Sequence, residues 1–285
     1  MDWYTVIFVT DKRQAAICDF LPGVLQSCGW KTEECENRCI AALQKADCVV
    51  FPTPINKLTG QDDMAQILKA NLCNCKILFG GKIDAGWRTW CDTKQMPYFD
   101  FMEDEEVAQK NAWITAEATV AEILKNGAFS IRGQKVIVTG YGRCGKAIAD
   151  LLHAMGAKVT VLARSKMARI QACRDGHNAA DFAYGPEEMY GAYSIVNTVP
   201  ACVLTEGLIA EMHKDAVIYD IASLPGGTDL KAAEKYHIPV ISALSLPGKY
   251  TTKSSAKILA NAIQRQLLPK RDVREGKSWI FQIII

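Results

Sequence analysis

The chain has 285 residues, enough for two domains with separate cores, and at 49% hydrophobic and 22% charged residues it has the composition of an ordinary globular protein. A net charge of +2 supplies no field for nucleic acid or an acidic membrane surface, and no apolar run is long enough to span a bilayer. Met1-Asp-Trp-Tyr4 carries no signal-peptide pattern, so the eleven cysteines are expected as free thiols in a reducing cytoplasm.

Strands and helices alternate in the first part of the chain. Tyr4 to Val9 is apolar and β-branched and reads as a strand, Arg13 to Cys28 as a helix, and Lys31 to Cys35 as a short strand. Cys39 to Ala46 reads as a helix, Cys48 to Phe51 as a buried strand, and Pro52-Thr-Pro54 as an extended loop. Asp62 to Ala70 is an expected helix and Lys76 to Phe79 a strand stopped by Gly80-Gly81. Cys35 and Cys39 would share a helix face, and Cys73-x-Cys75 stands alone. Neither pair makes a zinc pattern with histidine, so no metal site is expected. After Pro97 the acidic run Asp100 to Glu106 suits a helix start, and a long helix is expected from about Glu105 to Lys125, ending before Gly127.

The most informative run follows. Gln134 to Thr139 is a short apolar strand, and Gly140-x-Gly142-x-x-Gly145 comes directly after it. A helix is expected over Lys146 to Met155 and a second strand over Lys158 to Leu162. A lone triple-glycine motif is weak, but between a strand and a helix in a β-α-β unit of about 30 residues it is the fingerprint of a dinucleotide-binding Rossmann domain. Gly140 permits the tight turn, Gly142 the approach of a pyrophosphate, and Gly145 the close packing of helix on strand. Tyr141, Arg143 and Cys144 complete the loop, whose helix N-terminus favours phosphate charge.

The end of the second strand selects the dinucleotide. NAD sites place Asp or Glu there, whereas this chain reads Ala163-Arg164-Ser165-Lys166. Arg164 can stack on adenine and pair with a 2′-phosphate, to which Ser165 can also donate, so NADP is favoured over NAD. The alternative is a solvated basic turn.

Further on, Ala168 to Asp175 reads as a helix and Ala180 to Ala183 as a strand. Ser194 to Pro200 is a strand plus loop, Gly207 to Met212 a helix, and Val217 to Ile221 and Ile238 to Ile241 are strands. Ligands in such sheets sit at the carboxyl ends of the strands, which adds Asn197, Thr198, Val199, Pro200, Ala222 and Ser223 to the cofactor candidates. A last long helix is expected over about Thr252 to Leu268, packed back on the first domain. The apolar tail Trp279 to Ile285 is expected to dock on its own chain or a partner. The fold class is thus α/β with two domains. A flavodoxin-like parallel N-terminal domain (1–104, completed by 250–285) carries the substrate side. A long helix joins it to the Rossmann NADP-binding domain (105–249).

Several segments resemble the A-subunit family of dipicolinate synthase, the sporulation enzyme that makes pyridine-2,6-dicarboxylate, and the resemblance covers nearly all the chain. Its carriers are Asp11-Lys-Arg-Gln14, Phe51-Pro-Thr-Pro54, Glu105 to Glu117 with its Asn-Ala-x-x-Thr-Ala-Glu pattern, and Val138 to Gly145. Asn197-Thr-Val-Pro200, Asp220-Ile-Ala-Ser-Leu-Pro-Gly-Gly227 and Leu246-Pro-Gly248 complete them. Three places depart from the family pattern: Val9-Thr10 and Ala118 stand where it has glycines, and Tyr250-Thr-Thr252 where an Ala-Pro pair is common. The resemblance implies oxidation of a dihydrodipicolinate to dipicolinate with NADP, on a branch of the lysine and diaminopimelate pathway. It also implies a hetero-complex with the flavoprotein-like B-subunit of dipicolinate synthase and a setting in the mother-cell cytoplasm of a spore-former. Homo-oligomerisation stays open.

A dicarboxylate substrate calls for cations and oriented donors. Arg13, just past the first strand, is the leading carboxylate clamp, with a helix-capping role as its alternative. Lys253, Ser254 and Ser255 open the last helix, where Thr251 or Thr252 would serve equally as a cap. Asn111 and Thr115 share a helix face that either borders the cleft or is buried, and Ser223 follows a strand at the ligand side. His153, His177, His213 and His237 show no triad pattern, so no histidine catalyst is expected. Two other readings remain: another NADP-dependent two-domain dehydrogenase of the shikimate or hydroxy-acid type, and a non-catalytic NADP-binding subunit.

Overall fold

A computed structural model of the chain describes residues 5–10, 21–27, 31–36, 43–51, 53, 55 and 62–267. Arg13, Cys39, the two prolines that flank Thr53, and the tail from 268 onward lie outside the described residues.

Two parallel sheets form the molecule. The first contains β1 (Thr5–Thr10), β2 (Lys31–Glu36), β3 (Cys48–Val50), β4 (Ile77–Gly80) and β5 (Tyr98–Asp100), with helices α1 (Leu21–Ser27), α2 (Asp62–Asn71) and α3 (Ala85–Thr93) between strands. Its order is β2-β1-β3-β4-β5 with every pairing parallel, the flavodoxin-like arrangement. Side chains alternate across β3 as a strand requires. Val49 and Phe51 pack with Leu68, Trp87 and Cys91, while Cys48 and Val50 face Leu21, Leu25, Phe79 and Phe101.

The long helix α4 (Glu105–Asn126) leads to the second sheet. Asp104 caps it, accepting from the Val107 amide at 2.8 Å, and Glu105 and Glu106 put negative charge at its start. One helix serves both cores. Val107 packs under the first sheet, and Ala112, Ala116, Val120 and Ile123 pack against the second.

The second sheet has β6 (Lys135–Thr139), β7 (Lys158–Leu162), β8 (Asn178–Ala180), β9 (Ala192–Asn197), β10 (Val217–Asp220) and β11 (Val240–Ser242). Its helices are α5 (Arg143–Ala154), α6 (Lys166–Arg174), α7 (Gly185–Met189), α8 (Glu206–Ile209) and α9 (Leu230–Lys235). The order β11-β10-β9-β6-β7-β8, again all parallel, is that of a doubly wound dinucleotide-binding domain. Val136 and Val138 face α4 and α5, and Ile137 faces the opposite layer with Leu208 and Ile209. The chain then passes through α10 (Leu246–Tyr250) into α11 (Thr252–Leu267). As expected, α11 returns to the first sheet, burying Ala256, Ala260 and Ile263 beside Leu21, Leu25 and Phe79.

Several expectations need correction. Cys35 lies in β2, in register with Val9 of β1, so it is on a strand and shares no helix face with Cys39. The strand expected over Ala180 to Ala183 is Asn178–Ala180, because Asp181 turns the chain by accepting from the Ala183 amide. The helix expected over Gly207 to Met212 is only Glu206–Ile209. Leu246 to Lys249 reads in the sequence as a hinge, but it is part of the helix α10. Helices α3, α7 and α9 and strand β5 are not legible as periodic runs, because each is short and the helices open on a capping residue or a proline.

Candidate functional site

The glycine loop has the form its spacing predicts. Gly140 has φ +83°, and a Cβ there would meet Thr198 Oγ1 and Val199 Cγ2 at 2.8 Å. At Gly145 a Cβ would stand 2.3 Å from the Gly140 carbonyl oxygen, so helix α5 meets the loop only because the side chain is missing. Gly142, the N-cap of α5, is different: a Cβ there would touch nothing within 4 Å, and no side chain caps the helix. An open space before an uncapped helix N-terminus fits a pyrophosphate.

The loop is braced from beneath. Tyr141 donates to Asp175 Oδ2 at 2.8 Å, and Lys146 forms an ion pair with the same carboxylate. Burial, with Asp175 beside it, pushes the Tyr141 phenol above its ordinary range, so it stays protonated. The hydrogen bonds from Lys146 and Tyr141 hold the Asp175 carboxyl below its usual value. His177 is buried against Asp150 at 2.9 Å, next to the Tyr141 ring. Cys144 is half-buried and its thiol is pushed up by burial.

A buried polar network fixes three strand ends. Asn197, fully buried, accepts from Thr139 Oγ1 at 2.6 Å and donates to Asp220 Oδ1 at 2.8 Å and to the Val199 carbonyl at 3.1 Å. Asp220 also accepts from the Ala222 and Gly227 amides and from Thr228 Oγ1. The Asn197 side chain therefore faces inward and shapes the loop. Thr198, Val199 and Pro200 carry the exposed part, with Thr198 Oγ1 tied to the Thr139 carbonyl at 2.7 Å. On the neighbouring turn Ala222 is buried and Ser223 exposed, and the Gly226 amide closes the turn on the Ser223 carbonyl. Gly227 fits under this arrangement because a Cβ would meet Asn197 Nδ2 at 2.3 Å.

Across the sheet, Ala163 is buried and Arg164 and Ser165 are exposed. Ser165 caps α6 through the Ala168 amide at 3.3 Å. Arg169, which no sequence motif singles out, holds the turn by donating to the carbonyls of Ala163 (2.6 Å) and Arg164 (2.7 Å) and pairing with Asp181. Arg164 lines a groove of about 370 Å³ whose other walls include Phe182, Pro186, Cys202, Val203 and Leu208. It has apolar faces and lies between the carboxyl ends of β7 and β9, the place for an adenine. No sequence signal marks it, because its walls come from short helices far apart in the chain. A larger groove of about 440 Å³, with Lys135, Lys158 and Tyr193, lies at the opposite edge of the sheet, where the strands begin.

On the side of the first domain, Thr115 is buried and donates to the Asn111 carbonyl at 2.7 Å, so its hydroxyl is engaged within α4. Asn111 is half-buried. Lys253 is exposed in the first turn of α11, whereas Ser255 is buried and donates to the Thr251 carbonyl at 3.0 Å, which removes it as an anion donor. Asn111, Thr115, Ala118 and Glu122 lie along one face of α4. Its lower half is closed by α10: Ala118 packs with Leu246, and Glu122, 3% exposed, accepts from Lys249 and from Tyr250 at 2.9 Å. Two of the departures from the family pattern, Ala118 and Tyr250, thus meet at one contact. The Lys249 hydrogen bond holds the Glu122 carboxyl below its ordinary value. Arg143 of the glycine loop pairs with Glu105 at the start of α4 at 2.6 Å, tying the loop to the long helix.

Among the described residues no helix is long and apolar enough to cross a membrane. The sequence pattern of the NAD-binding domain of S-adenosyl-L-homocysteine hydrolase matches residues 111–267. The dipicolinate synthase A-subunit of Bacillus subtilis (strain 168) is 31% identical over 201 residues, spanning 70% of this chain and 67% of that protein. Two solved structures share the fold. The dipicolinate synthase A-subunit of Bacillus halodurans has a TM-score of 0.77 at 23% identity, covering 93% of this chain and 98% of that one. The corresponding dipicolinate synthase structure from Bacillus subtilis has a TM-score of 0.75 at 25% identity, covering 94% and 96%. With an NAD-binding domain matched over more than half its length, the chain belongs to the dipicolinate synthase A-subunit family.

Proposed function

We propose that this chain oxidises a dihydrodipicolinate to dipicolinate with NADP, in the cytoplasm of a sporulating cell and together with a second, flavoprotein-like subunit. Family membership supports the reaction. The observation that carries the cofactor choice is the turn after β7, where Arg164 and Ser165 are exposed and no carboxylate stands to receive a ribose hydroxyl.

When bound, NADP supplies the ring that accepts a hydride. The dihydropyridine gives up that hydride and one proton and becomes aromatic, so the driving force resides in the substrate. The residues of the chain have the tasks of binding and orientation. The uncapped start of α5 receives the pyrophosphate, the groove beside Arg164 the adenine, and Arg164 with Ser165 the 2′-phosphate. Thr198 to Pro200 and Ala222-Ser223 border the reacting end. Arg13 and Lys253 bind substrate carboxylates, with Asn111 and Ser223 as polar neighbours and Thr115 fixing the helix backbone behind them. No histidine serves as base, and the proton leaves to water.

Turnover of freshly made dihydrodipicolinate, followed as NADPH formation with and without the second subunit, tests the reading. NADP bound tightly with no turnover in either condition would turn the chain into a binding subunit.

A further inference from the structure

Among the described residues, four that are not glycine have positive φ: Lys82 (53°), Gln95 (53°), His237 (55°) and Ser245 (56°). Gln95 and His237 directly follow the C-caps of α3 and α9, where a left-handed residue is the ordinary way to end a helix. Ser245, the N-cap of α10, and Lys82 end no helix. Lys82 lies two residues past the carboxyl end of β4 and two before Asp84, the N-cap of α3, on the edge of the first sheet where ligands bind.

The backbone at Lys82 is held there by a buried carboxylate. Asp100, 6% exposed, accepts from the amides of Lys82 (3.0 Å), Ile83 (2.8 Å) and Met102 (2.9 Å) and pairs with Arg88 at 3.0 Å. Beside it Gly81 presses on the loop after β3, since a Cβ at Gly81 would stand 2.1 Å from Thr53 Oγ1. Strained backbone kept in place by a buried carboxylate is a mark of functional positioning. The Lys82 side chain is exposed, and among the described residues its ammonium has no ion-pair or hydrogen-bond partner. The nearby acid Glu103 is taken by Arg88 at 2.7 Å. The same edge reaches the cofactor loop, for Glu105, five residues beyond Asp100, pairs with Arg143.

We infer that Lys82 holds one carboxylate of the substrate from the first-domain wall of the cleft. This rests on the dicarboxylate reading proposed above. Lys82 follows β4 at the carboxyl edge of the first sheet, so it would meet one carboxylate of a pyridine-2,6-dicarboxylate, whereas a monocarboxylate held elsewhere would leave it unused.

The test uses the full chain, with the second subunit where turnover requires it, and the variants Lys82→Met and Lys82→Arg. Lys82→Met is expected to raise KM for dihydrodipicolinate at least about tenfold, the size of one charge-assisted contact, with kcat within about threefold. Its NADP affinity and Tm stay at the wild-type values. Wild type is inhibited better by dipicolinate than by picolinate, Lys82→Met loses that preference, and Lys82→Arg restores most of it. Wild-type KM and inhibitor preference in Lys82→Met would overturn the assignment while leaving the proposed reaction standing. Loss of NADP affinity or of Tm in step with KM would also overturn it, in favour of a structural role. A wild type that neither turns over dihydrodipicolinate nor is inhibited by dipicolinate overturns the proposed reaction first, and this assignment with it.

Discussion

Gly142 and Gly145 sit three residues apart in one loop, and the structure separates their roles. A methyl at Gly142 meets nothing, whereas one at Gly145 collides with the Gly140 carbonyl at 2.3 Å. Gly145→Ala is therefore expected to destabilise the domain itself, by about 2 kcal/mol of overpacking. Gly142→Ala should leave Tm unchanged and weaken NADP binding at least about tenfold, because its methyl occupies the space a pyrophosphate needs. Thermal unfolding with and without NADP checks both, and equal Tm values for the two variants would contradict the geometry. Arg164 acts at the other end of the dinucleotide. Arg164→Ala should weaken NADP by about tenfold to a hundredfold, the loss of a charge-assisted contact to phosphate, and leave NAD nearly unchanged. Equal losses for both cofactors in titrations would remove Arg164 from the 2′-phosphate. Asp220 is a matter of stability. It accepts four hydrogen bonds from Asn197, Ala222, Gly227 and Thr228, so Asp220→Ala strands buried donors and should cost about 3 kcal/mol or more in denaturant unfolding.

The contact between α4 and α10 responds to pH through Glu122. Its carboxyl is held below the ordinary 4.5, first by Lys249 and then by Tyr250 and Asn126. A depressed carboxyl contributes stability that is fully present above the unfolded value and is lost as pH falls through the lower folded value. Wild type should lose stability from about pH 4.5 downward, and Glu122→Gln, which cannot titrate, should show a flatter profile there from a lower plateau at neutral pH. Parallel Tm-against-pH curves for the two proteins would contradict this. The same contact shows what the chain does and does not reveal. The long helix is readable over Glu105 to Lys125 because its acidic start and Gly127 are local signals, and it ends one residue later, at Asn126. Helix α10 has the look of a hinge because Leu246-Pro-Gly-Lys-Tyr250 has no helical periodicity. It is helical because Glu122, more than a hundred residues earlier, fastens its last two side chains. The groove beside Arg164 and the Asp220–Asn197 network are hidden for the same reason, being assembled by topology from residues whose local sequence is unremarkable. The glycine loop is fully legible because its three constraints fall within six residues. Lys82 is invisible in the sequence because a left-handed residue leaves no periodic trace.

At the scale of the molecule, two parallel sheets are joined by helices that belong to both. Helix α4 lies in both cores, and α11 brings the chain back to the first sheet, where Arg265 pairs with Asp104 at 3.0 Å, at the start of α4. Arg143 of the glycine loop pairs with Glu105 at the start of α4, which ties that loop to the helix shared by the two cores. Under the proposed reaction the chain's task is to orient two bound rings for hydride transfer. The most direct measurement is the rate of NADPH formation from freshly made dihydrodipicolinate, with NADP or NAD and with or without the flavoprotein-like subunit. Turnover with a clear preference for NADP, abolished for NADP alone by Arg164→Ala, is the expected result. No turnover in any combination, with NADP still bound, would contradict the proposed reaction.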